Sequence, residues 1–131
     1  MKRNKIKKFD LIVIGGGSGG VRTARIASLH GAKVAICEKD KMGGTCVIRG
    51  CIPKKLLFYS SQFQNIFSYS DSYGWSTGGI KYDFLKMIKN KNKEITRLEK
   101  IYEKNIIASG ATIYKGEASF INKNKIKINN D

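Results

Sequence analysis

The sequence predicts an α/β fold, the N-terminal part of a doubly wound parallel sheet, on three observations. Phe9 to Ile14 reads Phe-Asp-Leu-Ile-Val-Ile, a short apolar, β-rich run suited to a buried parallel strand. That run leads directly into Gly15-Gly16-Gly17-Ser18-Gly19-Gly20, where Gly15, Gly17 and Gly20 satisfy the pattern G-x-G-x-x-G. A second apolar run, Lys33 to Cys37, ends at Glu38, 18 positions after Gly20. A glycine pattern alone is weak. A strand before it, a helix after it and an acid beyond supply the context in which it signals dinucleotide binding rather than an ordinary turn.

Each part of this first unit has a physical role. The predicted helix spans Gly19 to Leu29, with Val21, Ala24, Ile26, Ala27 and Leu29 for its inner face and Gly31 placed to end it. Gly15 permits the tight turn, Gly17 lets backbone approach a pyrophosphate, and Gly20 allows close helix–strand packing. The helix N-terminus offers free N–H groups and the positive end of its dipole to phosphate. Glu38 is placed to accept hydrogen bonds from a ribose diol. An acid there disfavours a 2′-phosphate, so the site suits FAD or NAD rather than NADP. Cys37 reads as a buried strand residue.

Next comes Gly43-Gly44-Thr45-Cys46-Val47-Ile48-Arg49-Gly50-Cys51-Ile52-Pro53-Lys54-Lys55. On a regular helix, positions five apart point roughly 140° away from each other. A disulfide between Cys46 and Cys51 therefore requires a distorted helix, because the Cα atoms must come within about 7 Å. Gly50 loosens the backbone, and Pro53 removes a donor and is expected to push Ile52 out of the α region. A reducible redox pair is the favoured reading. Inert buried thiols and a zinc site compete with it; zinc needs four ligands, and only Cys37 and His30 remain to help.

Beyond this stretch, Leu56 to Phe67 reads as a continuing helix, with Leu56, Phe63, Ile66 and Phe67 on one face. Ser68 to Gly79 reads as a loop pinned by Tyr73 and Trp75. Asp83 suits the N-cap of a long helix reaching about Ala108, with Phe84, Ile88, Ile95, Leu98, Tyr102 and Ile106 recurring at helical spacing. Its other face is lysine-rich, and Gly110 closes it. Ala111 to Tyr114, Glu117 to Ile121 and Lys125 to Ile128 read as short strands.

The chain has 131 residues, with 25 Lys and Arg against 10 Asp and Glu, a formal charge of +15. Such a balance raises nucleic acid or an acidic membrane as partner. The lysines are scattered among Asn and Ile, however, with no aromatic-rich basic motif. The expectation is a solvated surface and neither partner. Residues 1–8 are basic and lack the apolar core of a signal peptide, and no run approaches the roughly 18 apolar residues of a membrane span. A cytoplasmic setting is expected, where a close cysteine pair is more often catalytic than structural.

Fingerprint, acid and Gly-Gly-Thr-Cys-x4-Cys-x-Pro-Lys-Lys, in this order, resemble the flavin-dependent disulfide reductases, the pyridine nucleotide–disulfide oxidoreductase family. Pro53-Lys54-Lys55 resembles the branch that reduces glutathione, trypanothione or thioredoxin, and the glutathione-reducing members match best. The resemblance implies that residues 1–131 are the N-terminal part of an FAD-binding domain, with residues 1–8 as an overhang. The third FAD-domain strand with its Thr-Gly-Asp region, the NADPH domain and the dimerisation domain are expected to be absent from this chain. It further implies electron flow from NADPH through FAD to the Cys46–Cys51 disulfide and on to glutathione disulfide, in a homodimer.

Roles carried over by resemblance are these. Cys51 is the thiol facing the flavin and Cys46 the thiol exchanging with substrate. Gly15, Gly17, Ser18, Gly19, Gly20, Glu38, Thr45, Cys46, Lys54 and Ala118 contact cofactor, Lys54 near flavin N5 with Lys55 as its substitute. Ser18, Arg25 and Tyr102 line the disulfide-substrate site. The acid–base histidine of the family comes from a partner subunit, and His30 does not match it. Two other classes stay open: a nucleotide-binding module whose cysteines regulate rather than catalyse, and a polyanion-binding basic protein.

Overall fold

The computed structural model describes residues 6–129, so residues 1–5 of the basic N-terminus lie outside the described part. Strand β1 (Leu11–Ile14) leads through the glycine loop into helix α1 (Ser18–Leu29), and the chain returns as strand β2 (Val34–Glu38). A short helix α2 (Gly44–Ile48) and a longer α3 (Cys51–Tyr69) follow, then a 3₁₀ turn, Ser70–Tyr73. Helix α4 (Phe84–Ala108) returns the chain to the sheet as strand β3 (Thr112–Lys115), and β4 (Glu117–Asn122) with β5 (Lys125–Asn129) completes the order.

The three parallel strands lie in the order β1-β2-β3. Leu11 is in register with Val34, and Ile36 with Ile113. As the middle strand, β2 buries Val34, Ala35, Ile36 and Cys37, which explains its unbroken apolar run. Val21 and Ala24 of α1 and Ile106 of α4 close with Val34, Ile36, Met42 and Ala111 into one core, flanked by Leu11, Val13, Tyr102 and Ile113. β4 and β5 form a separate antiparallel hairpin. It is held to the end of β2 by Gly116 N–H donating to the Glu38 carbonyl at 2.9 Å and by the Lys39–Glu117 ion pair at 2.8 Å.

Several local signals act as expected. Asp83 caps α4, its Oδ1 accepting the Lys86 N–H at 2.9 Å. Gly31 and Gly110 follow the ends of α1 and α4 with φ of 90° and 93°, a region that favours glycine.

Other expectations are corrected. The strand read at Ala111 to Tyr114 is Thr112–Lys115, and it joins the sheet as a third parallel strand, aligned beside β2 from Ala35↔Thr112 to Glu38↔Lys115. A three-residue turn after Ala108 was enough to deliver it. Ile26 and Leu29 do not belong to the inner face of α1; they are 45% and 64% exposed, because α1 meets the sheet only along Val21, Ala24 and Ala27. Phe63 and Ile66 of α3 are likewise exposed, and so is Phe84 of α4. Tyr73 and Trp75, at 76% and 69% exposure, do not pin their loop. Helix α3 runs unbroken from Cys51 to Tyr69, and Ile52 is helical. Pro53 lies in the first turn, where a missing N–H costs nothing because those donors have no partner in the helix. The break falls at Gly50.

Candidate functional site

The site is built where the β1–α1 loop meets the start of α2. Gly15 takes φ 104°, and its N–H donates to the Cys37 carbonyl at 2.8 Å, so the loop leaves the sheet where β2 ends. A Cβ on Gly20 would collide with the Gly15 carbonyl oxygen, and one on Gly16 with the Met42 sulfur. Helix α1 starts without a side-chain cap and has no acid in its first turn. Its first internal bond is Val21 N–H to Gly17 O at 2.9 Å, so the N–H groups of Ser18, Gly19 and Gly20 precede that ladder and are free for an anion.

Glu38 lies at the floor of this loop. Its Oε2 accepts the Gly16 N–H at 2.7 Å and its Oε1 accepts the Asp40 N–H at 2.8 Å. An ionised carboxylate has about four acceptor positions, so a diol still finds room on it. Ala118 follows directly on the tie between Gly116 and Glu38, which sets it at the same end of the sheet.

The cysteine stretch is folded onto the loop. Gly43 N–H donates to the Gly16 carbonyl at 2.8 Å. Gly44, with φ 61°, faces Gly17 so closely that a Cβ on it would lie 2.6 Å from the Gly17 Cα. Cys46 then sits within α2, and Cys51 is the first residue of α3. The helix is interrupted between them by Arg49 (φ −130°, ψ −7°) and Gly50 (φ −124°, ψ −107°). A Cβ on Gly50 would lie 2.9 Å from the Thr45 carbonyl oxygen, so this turn closes tightly over α2.

Both cysteines are thiols here, Cys46 half-buried and Cys51 exposed. The Cys51 side chain as hydrogen-bond partner, and then burial, push the Cys46 thiol above its usual range; the Cys51 backbone N–H and the Lys55 charge pull the other way. Cys37 is buried in β2 at 1% exposure, and burial raises its thiol. Lys54 and Lys55 stand exposed in the first turns of α3. Among the described residues, no three His, Cys, Asp or Glu side chains are grouped to hold a metal.

Ser18, Arg25 and Tyr102 line one cleft of about 380 Å³ between α1 and α4. The Arg25 Nε is buried and has no hydrogen-bond partner, which suits an anionic group entering the cleft. Arg22 and Asn105 share its walls and were missed in the sequence. Their signal was helical spacing, one turn from Arg25 and from Tyr102 respectively, but only the packing of α1 on α4 shows which faces meet.

The model of the pyridine nucleotide-disulphide oxidoreductase family matches residues 9–131. The chain is 48% identical over 120 residues to a glutathione reductase of Burkholderia cepacia, covering 92% of this chain and 27% of that protein. It is 40% identical over 131 residues to the chloroplastic/mitochondrial glutathione reductase of Pisum sativum, covering 92% of this chain and 24% of the other. It also superposes, with a TM-score of 0.78 and 26% identity, on the HOCl-induced flavoprotein disulfide reductase RclA of Escherichia coli in its Cu(II) complex, covering 95% of this chain and 25% of that one. The chain thus spans about a quarter of the length of these relatives. With its glycine loop, its acid and its paired cysteines drawn into one site, the chain belongs to the pyridine nucleotide–disulphide oxidoreductase family.

Proposed function

We propose that this chain is the N-terminal part of the FAD-binding domain of a disulfide reductase that uses NADPH to reduce glutathione disulfide. The observation that carries this reading is the contact of Gly17 with Gly44, which seats the start of the dithiol helix on the phosphate loop. The loop that would hold the phosphates of a nucleotide and the helix that carries Cys46 are thereby joined in one surface. FAD, when bound, accepts a hydride and passes an electron pair to the protein disulfide.

The residues of this chain then act as follows. The N–H groups at Gly19 and Gly20 and the Ser18 side chain hold the pyrophosphate. Glu38 orients the ribose, and Thr45, Cys46, Lys54 and the Ala118 backbone contact other parts of the cofactor. Cys51 faces the flavin. Cys46, as thiolate, attacks the substrate disulfide; one glutathione leaves as thiol, and Cys51 displaces the second from the mixed disulfide. Arg25 meets a glutathione carboxylate, for which a guanidinium is the apt partner, beside Ser18 and Tyr102. The NADPH domain, the dimerisation domain and the acid–base histidine belong to the rest of the enzyme and its partner subunit.

The test is made with the full-length protein. It should retain FAD and oxidise NADPH in the presence of glutathione disulfide. Retained flavin with reduction of thioredoxin or trypanothione disulfide, but not of glutathione disulfide, would overturn the substrate. A flavin-free protein with no disulfide reduction would favour a nucleotide-binding module.

A further inference from the structure

Arg49 stands in the turn between Cys46 and Cys51, and its guanidinium pairs with Asp40 in the β2–α2 loop. The Asp40 N–H is held by Glu38 Oε1 at 2.8 Å, and Glu38 Oε2 holds the Gly16 N–H at 2.7 Å. A line of polar contacts thus runs from the glycine loop through Glu38 and Asp40 to the residue between the thiols. The backbone at Arg49 and Gly50 has left the helical region, so the spacing of the two cysteines depends on how this two-residue turn is held.

We propose that Asp40 and Arg49 act as a positioning pair, fixing the turn so that Cys46 and Cys51 are poised to close a disulfide. The inference rests on reading those cysteines as a redox pair. The two side chains are 47% and 62% exposed, and an exposed ion pair adds little to folding stability. A disulfide, by contrast, tolerates only narrow geometry, so holding the turn acts directly on closure. In exchange with glutathione, the two protein thiols are oxidised to one disulfide while one glutathione disulfide is reduced to two thiols, which receive the two protons. The position of that equilibrium reports how well the turn is held.

The experiment equilibrates the full-length protein in glutathione buffers of graded ratio, traps free thiols by alkylation and counts the Cys46–Cys51 disulfide by mass. Asp40→Asn and Arg49→Gln should each shift the equilibrium about threefold towards the dithiol, as loss of one exposed pair allows. The double variant should shift no further than either single one, and Arg49→Lys should recover most of the effect. The exchanged pair, Asp40→Arg with Arg49→Asp, should also return towards the parent value, even if a single variant loses stability. Unchanged equilibria, additive shifts or no recovery in the exchanged pair would overturn the positioning role alone. Absence of any Cys46–Cys51 disulfide in the parent protein would overturn the redox reading as well.

Discussion

Gly44 lies against Gly17 with no room for a side chain: a methyl group on Gly44 would stand 2.6 Å from the Gly17 Cα. Gly44 also holds φ 61°, so alanine there is strained twice, by the backbone and by the contact. Gly44→Ala should destabilise the fold by about 1–3 kcal/mol, the range for such strain, and weaken flavin retention by separating the two halves of the site. Denaturant titration and flavin fluorescence read the two effects. Parent-like values in both would mean the contact is not needed.

The assigned thiol roles give opposite results for two serine variants. In the full-length flavoenzyme, Cys51→Ser should abolish the long-wavelength absorbance expected of a thiolate against flavin after two-electron reduction. Cys46→Ser should keep that absorbance and lose disulfide reduction. The reverse pattern would exchange the two roles.

In the dithiol, the Cys46 thiol titrates above its usual range, first because of Cys51 and then because of burial. Alkylation of Cys46 followed against pH should show this, and Cys51→Ala should bring the midpoint down. The sign for stability follows. A thiol raised in the folded state contributes stability that is complete below its unfolded pKa and is lost as pH rises through the folded value. The reduced protein should therefore weaken on the alkaline side in a way Cys46→Ser does not. Identical alkaline profiles for the two would exclude the linkage.

Arg25 presents an unpartnered, buried Nε to the cleft shared with Ser18 and Tyr102. Arg25→Ala should raise KM for glutathione disulfide about tenfold, the loss of one charge-assisted contact of roughly 1.4 kcal/mol. NADPH oxidation by artificial flavin acceptors should be spared. An equal loss with both acceptors would place the damage in the fold or the flavin site.

By itself the sequence determined much of what depends on local chemistry. Strand β1, the glycine loop and Glu38 were legible because an apolar run, a turn that only glycine permits and an acid at a set distance are each readable in order along the chain. The Asp83 cap and the stops at Gly31 and Gly110 were legible for the same reason. The break between Cys46 and Cys51 followed from Gly50, though Pro53 was assigned part of a distortion that it does not make.

Only the tertiary structure decided what depends on which surfaces meet. Ile26 and Leu29 have the hydrophobicity of core residues, but α1 touches the sheet along a narrower stripe and leaves them exposed. Thr112–Lys115 has strand propensity whatever its partner; its place as the third parallel strand exists only through hydrogen bonds to β2. Arg22 and Asn105 became cleft residues when α1 packed on α4, and Asp40 reached Arg49 when the β2–α2 loop folded over the dithiol turn. Propensity acts between neighbours in the chain, whereas these contacts join residues brought together by burial of the shared core.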